Sequence, residues 1–332
     1  MIFFLVLFSS GSKCGTGSLI IPDNTTEIED EEYYNCSSYT GPLIIPDSVI
    51  SIGVRSFCLC SGLESIQLSS SLQSIGDEAF SQCLGFKGSL IIPNSVTEIG
   101  NYAFSLCSNF NGQLNIPNKV SQIGEGAFSN CYNFSSLMLG SSITKIEDNV
   151  FQNCVGLIYL NISEKVKTIG SYSFSGCSSV KGILKIPDSV TFIGNGSFSH
   201  CTQINFIDIS KGLTEIPSDT FNGCSNLSRI DIPNWITSIG SKAFYDCAGA
   251  EGALTISDSV NRIGDFAFSH CSLITGLEIG LNLNIISNNA FEYCSSLENL
   301  EIPNNVQIIE SYAFYNCVGL NNQLIIPDSV TK

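Results

Sequence analysis

The sequence predicts a repeat solenoid, a right-handed parallel β-solenoid with two short strands and one helical turn in each rung of 23 or 24 residues. The first observation behind this is a cysteine ladder. Cys36, Cys60, Cys83, Cys107, Cys131, Cys154, Cys177, Cys201, Cys224, Cys247, Cys271, Cys294 and Cys317 recur every 23 or 24 residues, and Cys14 starts the series 22 residues before Cys36. The second is an aromatic residue three positions before each rung's cysteine: Tyr33 first, then Phe from Phe57 to Phe314 without a gap. A fixed period of this length marks units that cannot bury their apolar face alone and must stack. The third is hydrophobic alternation inside each unit, the signature of a half-buried strand.

The unit that starts at Cys60 shows each element in turn. Leu63, Ile66 and Leu68 alternate toward the end of the first strand, and Leu72 with Ile75 forms a second short apolar pair closed by Gly76. Ala79, Phe80 and Cys83 are spaced like one inward-facing helical turn. Proline at Pro22, Pro46, Pro93, Pro117, Pro187, Pro233, Pro303 and Pro327 ends the first strand, because it has no N–H to give a ladder. The Ile-Gly step recurs at Gly53, Gly76, Gly100, Gly124, Gly170, Gly194, Gly240 and Gly264. It implies either positive φ or close backbone approach. The longer units carry their extra residue just before the strand, with Gly41, Gly88, Gly112, Gly182 and Gly252, which places the insertion in a loop rather than in the core.

Phrases such as IPDSVTFIGNGSFSHC and IPNSVTEIGNYAFSLC resemble the BspA-like leucine-rich repeats found in many surface-exposed bacterial and protozoan proteins. The resemblance covers about residues 14 to 332 and rests on twelve consecutive Phe-x-x-Cys steps. It implies a leucine-rich-repeat solenoid of about thirteen rungs that adheres to or captures extracellular ligands at the cell surface or after secretion. It brings no catalytic residue and no cofactor, and it names no ligand.

Bulk chemistry excludes several partners. Thirty acids against fourteen bases give a net charge of −16, the wrong sign for displacing counterions from nucleic acid or for docking on anionic lipid. No internal stretch is long and apolar enough for a membrane span. Residues 1–13 read as a signal peptide or export segment: an apolar run from Ile2 to Phe8 is followed by small residues, although a positive start is missing. A first buried strand is the alternative, but Gly11 stands where the repeat would place its aromatic. The other end stops at LIIPDSVTK, halfway through a unit, with Leu324, Ile326 and Val330 in inward phase. An uncovered rung there predicts either a longer natural chain or end-to-end self-association.

Three clusters invite chemistry. The ladder cysteines would fall within bridging range on neighbouring rungs, but parallel Cβ vectors do not converge, so buried reduced thiols are expected. Zinc is disfavoured for want of a Cys-x₂-Cys pair and of histidine. Cys58, off the ladder phase, is expected to be an accessible thiol. His200 and His270 each precede a ladder cysteine, yet that slot holds Asn130, Asn153, Gly223 and Asp246 elsewhere, so a variable exposed turn position is the better reading than a Cys-His nucleophile. Asp208 and Asp231, one rung apart, resemble a glycosidase pair in spacing, but no long insertion forms a cleft around them. The six N-x-S/T sequons are the number chance provides in a chain so rich in Asn, Ser and Thr.

Function is expected on the outward side of the first strand. Met138, Tyr159, Ile183 and Phe206 would form an apolar patch there, with Lys185, Asp208, Arg229 and Asp231 beside it and an acidic strip continuing through Glu278 and Glu301. Strand propensity alone would also place such residues there. The expected partner is an extracellular protein or glycan. The alternative is an intracellular protein-interaction scaffold, which unpaired cysteines would suit.

Overall fold

A computed structural model of the chain describes residues 13–320 and 325–332. The export reading of Met1 to Ser12 and the inward placement of Leu324 fall outside these residues. The described part is a parallel β-solenoid with twenty-two strands. Nine of these are longer first strands, such as Leu63–Gln67 or Asn133–Met138, and thirteen are two-residue second strands, such as Ser74–Ile75. Five of the two-residue strands, Glu27–Ile28 through Gln122–Ile123, stack in one parallel sheet, Ile28 beside Ile52 and Ile75 beside Ile99.

The expected helical turn is absent: no helix forms among the described residues. The Phe-x-x-Cys segment is a turn with positive φ at the second residue before each aromatic and the second after it, as at Arg55 (φ 52°) and Leu59 (φ 65°) around Phe57. This alternation aims alternate N–H groups along the stack, while those of Cys58 and Cys60 bond back to Arg55 O and Phe57 O. Arg55, Phe57 and Leu59 donate to the carbonyls of Asp77, Ala79 and Ser81 on the next rung, at 2.8 to 2.9 Å. A helix would satisfy these groups locally and leave the rungs unstitched. The sequence does carry a signal for this. The slot two after the aromatic is rich in Asn, Asp, Gly and His, as at Asn35, Asn153, Gly176, Asp246 and His270, the residue types that best tolerate left-handed backbone.

Both glycine series have a local reason. At the Ile-Gly step it is close approach, since a Cβ on Gly100 would lie 2.5 Å from the Asp77 backbone nitrogen. The insertion glycines take positive φ instead, 82° at Gly182. The extra residue lies within the first strand, not in a loop before it: the pairing register shifts between Gly182 and Ile183 as that strand starts. Such a bulge absorbs one residue without moving any inward side chain out of phase.

The core is one continuous column. In the unit from Cys60, Leu63, Leu68, Leu72, Ile75, Ala79, Phe80 and Cys83 are buried and Ile66 packs against them half-buried. Tyr33 and the Phe residues from Phe57 to Phe314 stack ring on ring, with neighbouring centroids 5.1 to 6.0 Å apart and planes within 27°.

The ladder thiols are structural donors. From Cys60 to Cys317, each Sγ lies 3.0 to 3.4 Å from the carbonyl oxygen of the previous rung's aromatic. That carbonyl also accepts its own rung's cysteine N–H: Phe57 O takes Cys60 N and Cys83 Sγ, both at 3.1 Å, so both lone pairs are used.

Two cysteine expectations are corrected. Cys14 and Cys36 are bridged, with Cα atoms 5.1 Å apart. The parallel-vector argument fails there because Gly11 stands where other rungs carry the aromatic before the cysteine, and Cys14 sits exposed. Cys58, expected to be accessible, is buried, and burial pushes its thiol up to about 11. Denaturing the chain without reductant should therefore release thirteen reactive thiols of the fifteen cysteines, and almost none should react natively. A denatured count of half that or less would mean that the ladder bridges.

Candidate binding face

The first strands place alternate side chains outward, and the pairing register fixes which of them are neighbours. Asn115 pairs with Met138, Ser136 with Tyr159, Ile183 with Phe206 and Lys185 with Asp208. Two parallel columns result. By these pairings and, where no strand pair forms, by the repeat spacing from each rung's cysteine, one runs Ser136, Tyr159, Ile183, Phe206, Arg229; the other runs Met138, Asn161, Lys185, Asp208, Asp231.

All the apolar members point to solvent: Met138 is 56 % exposed, Tyr159 64 %, Ile183 67 % and Phe206 40 %. Among the described residues, large apolar side chains in the first column are confined to this stretch. Before it stand Ser65, Gln113 and Ser136, and after it Ala253, Gly276 and Asn299, each in the same register. Tyr159, Ile183 and Phe206 therefore form a raised apolar ridge across three consecutive rungs.

Charged side chains frame the ridge. The Arg229 guanidinium lies 5.7 Å from the Phe206 ring centre while its Nε donates to Asp231 Oδ2 at 2.6 Å. Lys181 Nζ lies 5.8 Å from the Tyr159 ring centre, and Lys185 Nζ meets Glu164 Oε1 at 3.2 Å. Two of these contacts lie against Tyr159 and Phe206, whose rings stay exposed. Each exposed pair is worth at most about 1 kcal/mol.

Lys181 and Glu164 were not legible as site residues because they lie in the turns between strands. Ile44 (52 % exposed) and Ile91 (76 %) extend the second column as outward apolar residues toward the N-terminal rungs. The Asp208 and Asp231 carboxylates stand on an open face, with Asp231 held by Arg229. The Cys201 and Cys271 thiols point inward to Phe174 O and Phe244 O, while His200 is exposed and its ring lies over Gly223. No Cys-His contact results at either site.

Fold and face together define a non-helical leucine-rich-repeat solenoid, a class of repeat scaffolds that is generally not enzymatic. The chain belongs to the BspA type leucine rich repeat region family, whose repeats match residues 26–158, 110–228, 144–251 and 214–332. It is similar to the crystal structure of a leucine-rich repeat protein from Bacteroides ovatus, with 27 % identity and a TM-score of 0.69 over 92 % of this chain and 85 % of that one. A leucine rich cell surface protein from Faecalibacterium prausnitzii is 27 % identical over 81 % of this chain and 88 % of that one, with a TM-score of 0.49. A leucine rich repeat protein from T. pallidum is 30 % identical, covering 47 % of this chain and 71 % of that one, with a TM-score of 0.43. Among curated proteins, no sequence matches this chain.

Proposed function

We propose that the chain is a non-catalytic surface or secreted binding scaffold, adhesin-like, which captures a host or matrix protein or glycan on the ridge of Tyr159, Ile183 and Phe206. The observation that carries this is the exposure of three large apolar side chains on consecutive rungs, in a column that is small or polar on both sides of them. Met138 widens the ridge, and Lys185, Asp208, Arg229 and Asp231 supply the polar rim that gives an interface its specificity.

Placement outside the cytosol is supported by family membership and by the Cys14–Cys36 bridge, since disulfides persist in oxidising compartments. The thirteen unbridged cysteines favour a second reading, an intracellular interaction scaffold. Their burial weakens that reading, because a thiol held in the core is protected in either compartment.

Purified matrix proteins and glycans, immobilised as an array, provide the test. With a captured ligand in hand, Tyr159→Ala combined with Phe206→Ala should weaken binding by about 2 kcal/mol or more, as truncated interface anchors do, with circular dichroism unchanged. Undiminished capture would place the ligand elsewhere on the solenoid. A protein found only in the cytosol would favour the intracellular reading.

A further inference from the structure

We propose that the turn face of rungs 245–315 carries a second binding site, for a basic peptide segment presenting Arg or Lys side chains. It lies on a different side of the rung from the strand-face ridge and does not depend on it.

At three places along the turn face, a large outward side chain is followed one rung later by a glycine that it covers. A Cβ on Gly126 would lie 2.3 Å from Tyr102 Cε1, one on Gly196 2.3 Å from Tyr172 Cε1, and one on Gly223 2.5 Å from His200 Nδ1. Near the C-terminal end this compensation stops. Tyr245, His270 and Tyr293 follow on successive rungs with ring centres 5.1 and 4.6 Å apart, and Tyr315 continues the run at 5.8 Å. No glycine receives these rings. They stand against one another at the surface, Tyr293 39 % and Tyr315 47 % exposed. Packing does not require this, because other rungs fill the same slots with Ser81, Ser129, Asn130 and Asn153.

The chemistry of the cluster selects a cation. Lys242 Nζ already sits 6.0 Å from the Tyr245 ring centre and 5.8 Å from that of Phe266, so this surface holds an ammonium between two rings within its own chain. Toward Tyr293 and Tyr315 the rings continue, and no further Lys or Arg accompanies them up to residue 320. Residues 241–320 contain nine carboxylates against two basic side chains, and Asp246 and Glu292 are the chain neighbours of Tyr245 and Tyr293 in the turns. Quadrupole and charge therefore draw the same partner. The rings are inclined to their neighbours by 50°, 34° and 86° in order. They do not form the single flat plane on which a sugar ring stacks.

Isothermal titration of the full chain with acetylated tetra-arginine, tetra-lysine and a neutral hexasaccharide of glucose tests the proposal. The comparison variant is Tyr245→Ser with His270→Asn and Tyr293→Asn, each a residue that other rungs carry in the same slot, so the fold is kept. Both basic peptides should bind the unaltered chain, and the variant should bind them at least tenfold more weakly. Tyr159→Ala with Phe206→Ala should leave that binding unchanged. Equal affinity in the ring variant would show diffuse attraction to an acidic chain and overturn the site. Binding of the hexasaccharide in place of the peptides would overturn the assignment of its ligand.

Discussion

Raising the pH above about 9 is expected to unfold this protein cooperatively. Twelve thiols, Cys58 and the ladder from Cys60 to Cys294, are held above their ordinary value. Burial is the first cause for eleven of them, and for Cys294 it is the contact with Cys317, with burial second. Cys60, Cys154, Cys224 and Cys271 are pushed up to about 12. A thiolate could not donate to the aromatic carbonyl, and it would sit unpaired in an apolar column. The sign follows from proton counting. Above the unfolded-state value the unfolded chain releases protons that the folded chain retains, so stability is complete below about pH 8.5 and falls as pH rises through the window up to the folded values. Each thiol contributes a slope of up to about 1.4 kcal/mol per pH unit, so a dozen together exceed the whole stability of an ordinary domain within about one unit. Circular dichroism against pH, with reductant present and return to pH 7 as the reversibility check, reads this directly. Retention of the native spectrum at about pH 11 would show that the thiols do not titrate on unfolding.

Phe174→Ala should cost about 3 to 5 kcal/mol, the range for deleting a fully buried aromatic. Phe174 is fully buried and stacks on Phe151 at 5.4 Å and Phe198 at 5.6 Å, so the deletion removes two ring contacts and opens a void between two rungs. In a solenoid whose stability sums over neighbouring interfaces, the damage falls on the middle of the stack and divides it. Chemical denaturation should therefore change from one transition to two, or to one at much lower denaturant. Phe314→Ala, in a ring half-buried and stacked on Phe291 alone among the described rings, should cost clearly less. Equal losses at the two positions would argue against nearest-neighbour stacking as the source of stability.

The BspA-type family, the rung length, the parallel stacking and the outward columns were all legible in the residues. Period is a one-dimensional property: the Phe-x-x-Cys step sets the rung, and alternation of side chains sets which of them leave the core. For that reason the sequence by itself locates Met138, Tyr159, Ile183 and Phe206 as exposed neighbours, and the pairing of Ile183 with Phe206 agrees. The bulge glycines and the Ile-Gly glycines were also visible, although which of two reasons applied to each series was not.

The tertiary structure alone decided what depends on the neighbouring rung. Inward spacing of Ala79, Phe80 and Cys83 fits a helix and a turn equally well; the choice falls to the turn because its N–H groups find carbonyls one rung away. Cys58 is off the ladder phase in sequence yet buried, since the rung stacked beside it, through Ser81, covers it. The Cys14–Cys36 bridge likewise arises where one partner lacks the repeating aromatic three residues before it. The ring run from Tyr245 to Tyr315 shifts among turn slots from rung to rung, so no single column in the sequence contains it. Periodicity specifies what each rung repeats, whereas contacts between rungs depend on side chains dozens of residues apart, which only the stacked chain brings within bonding distance.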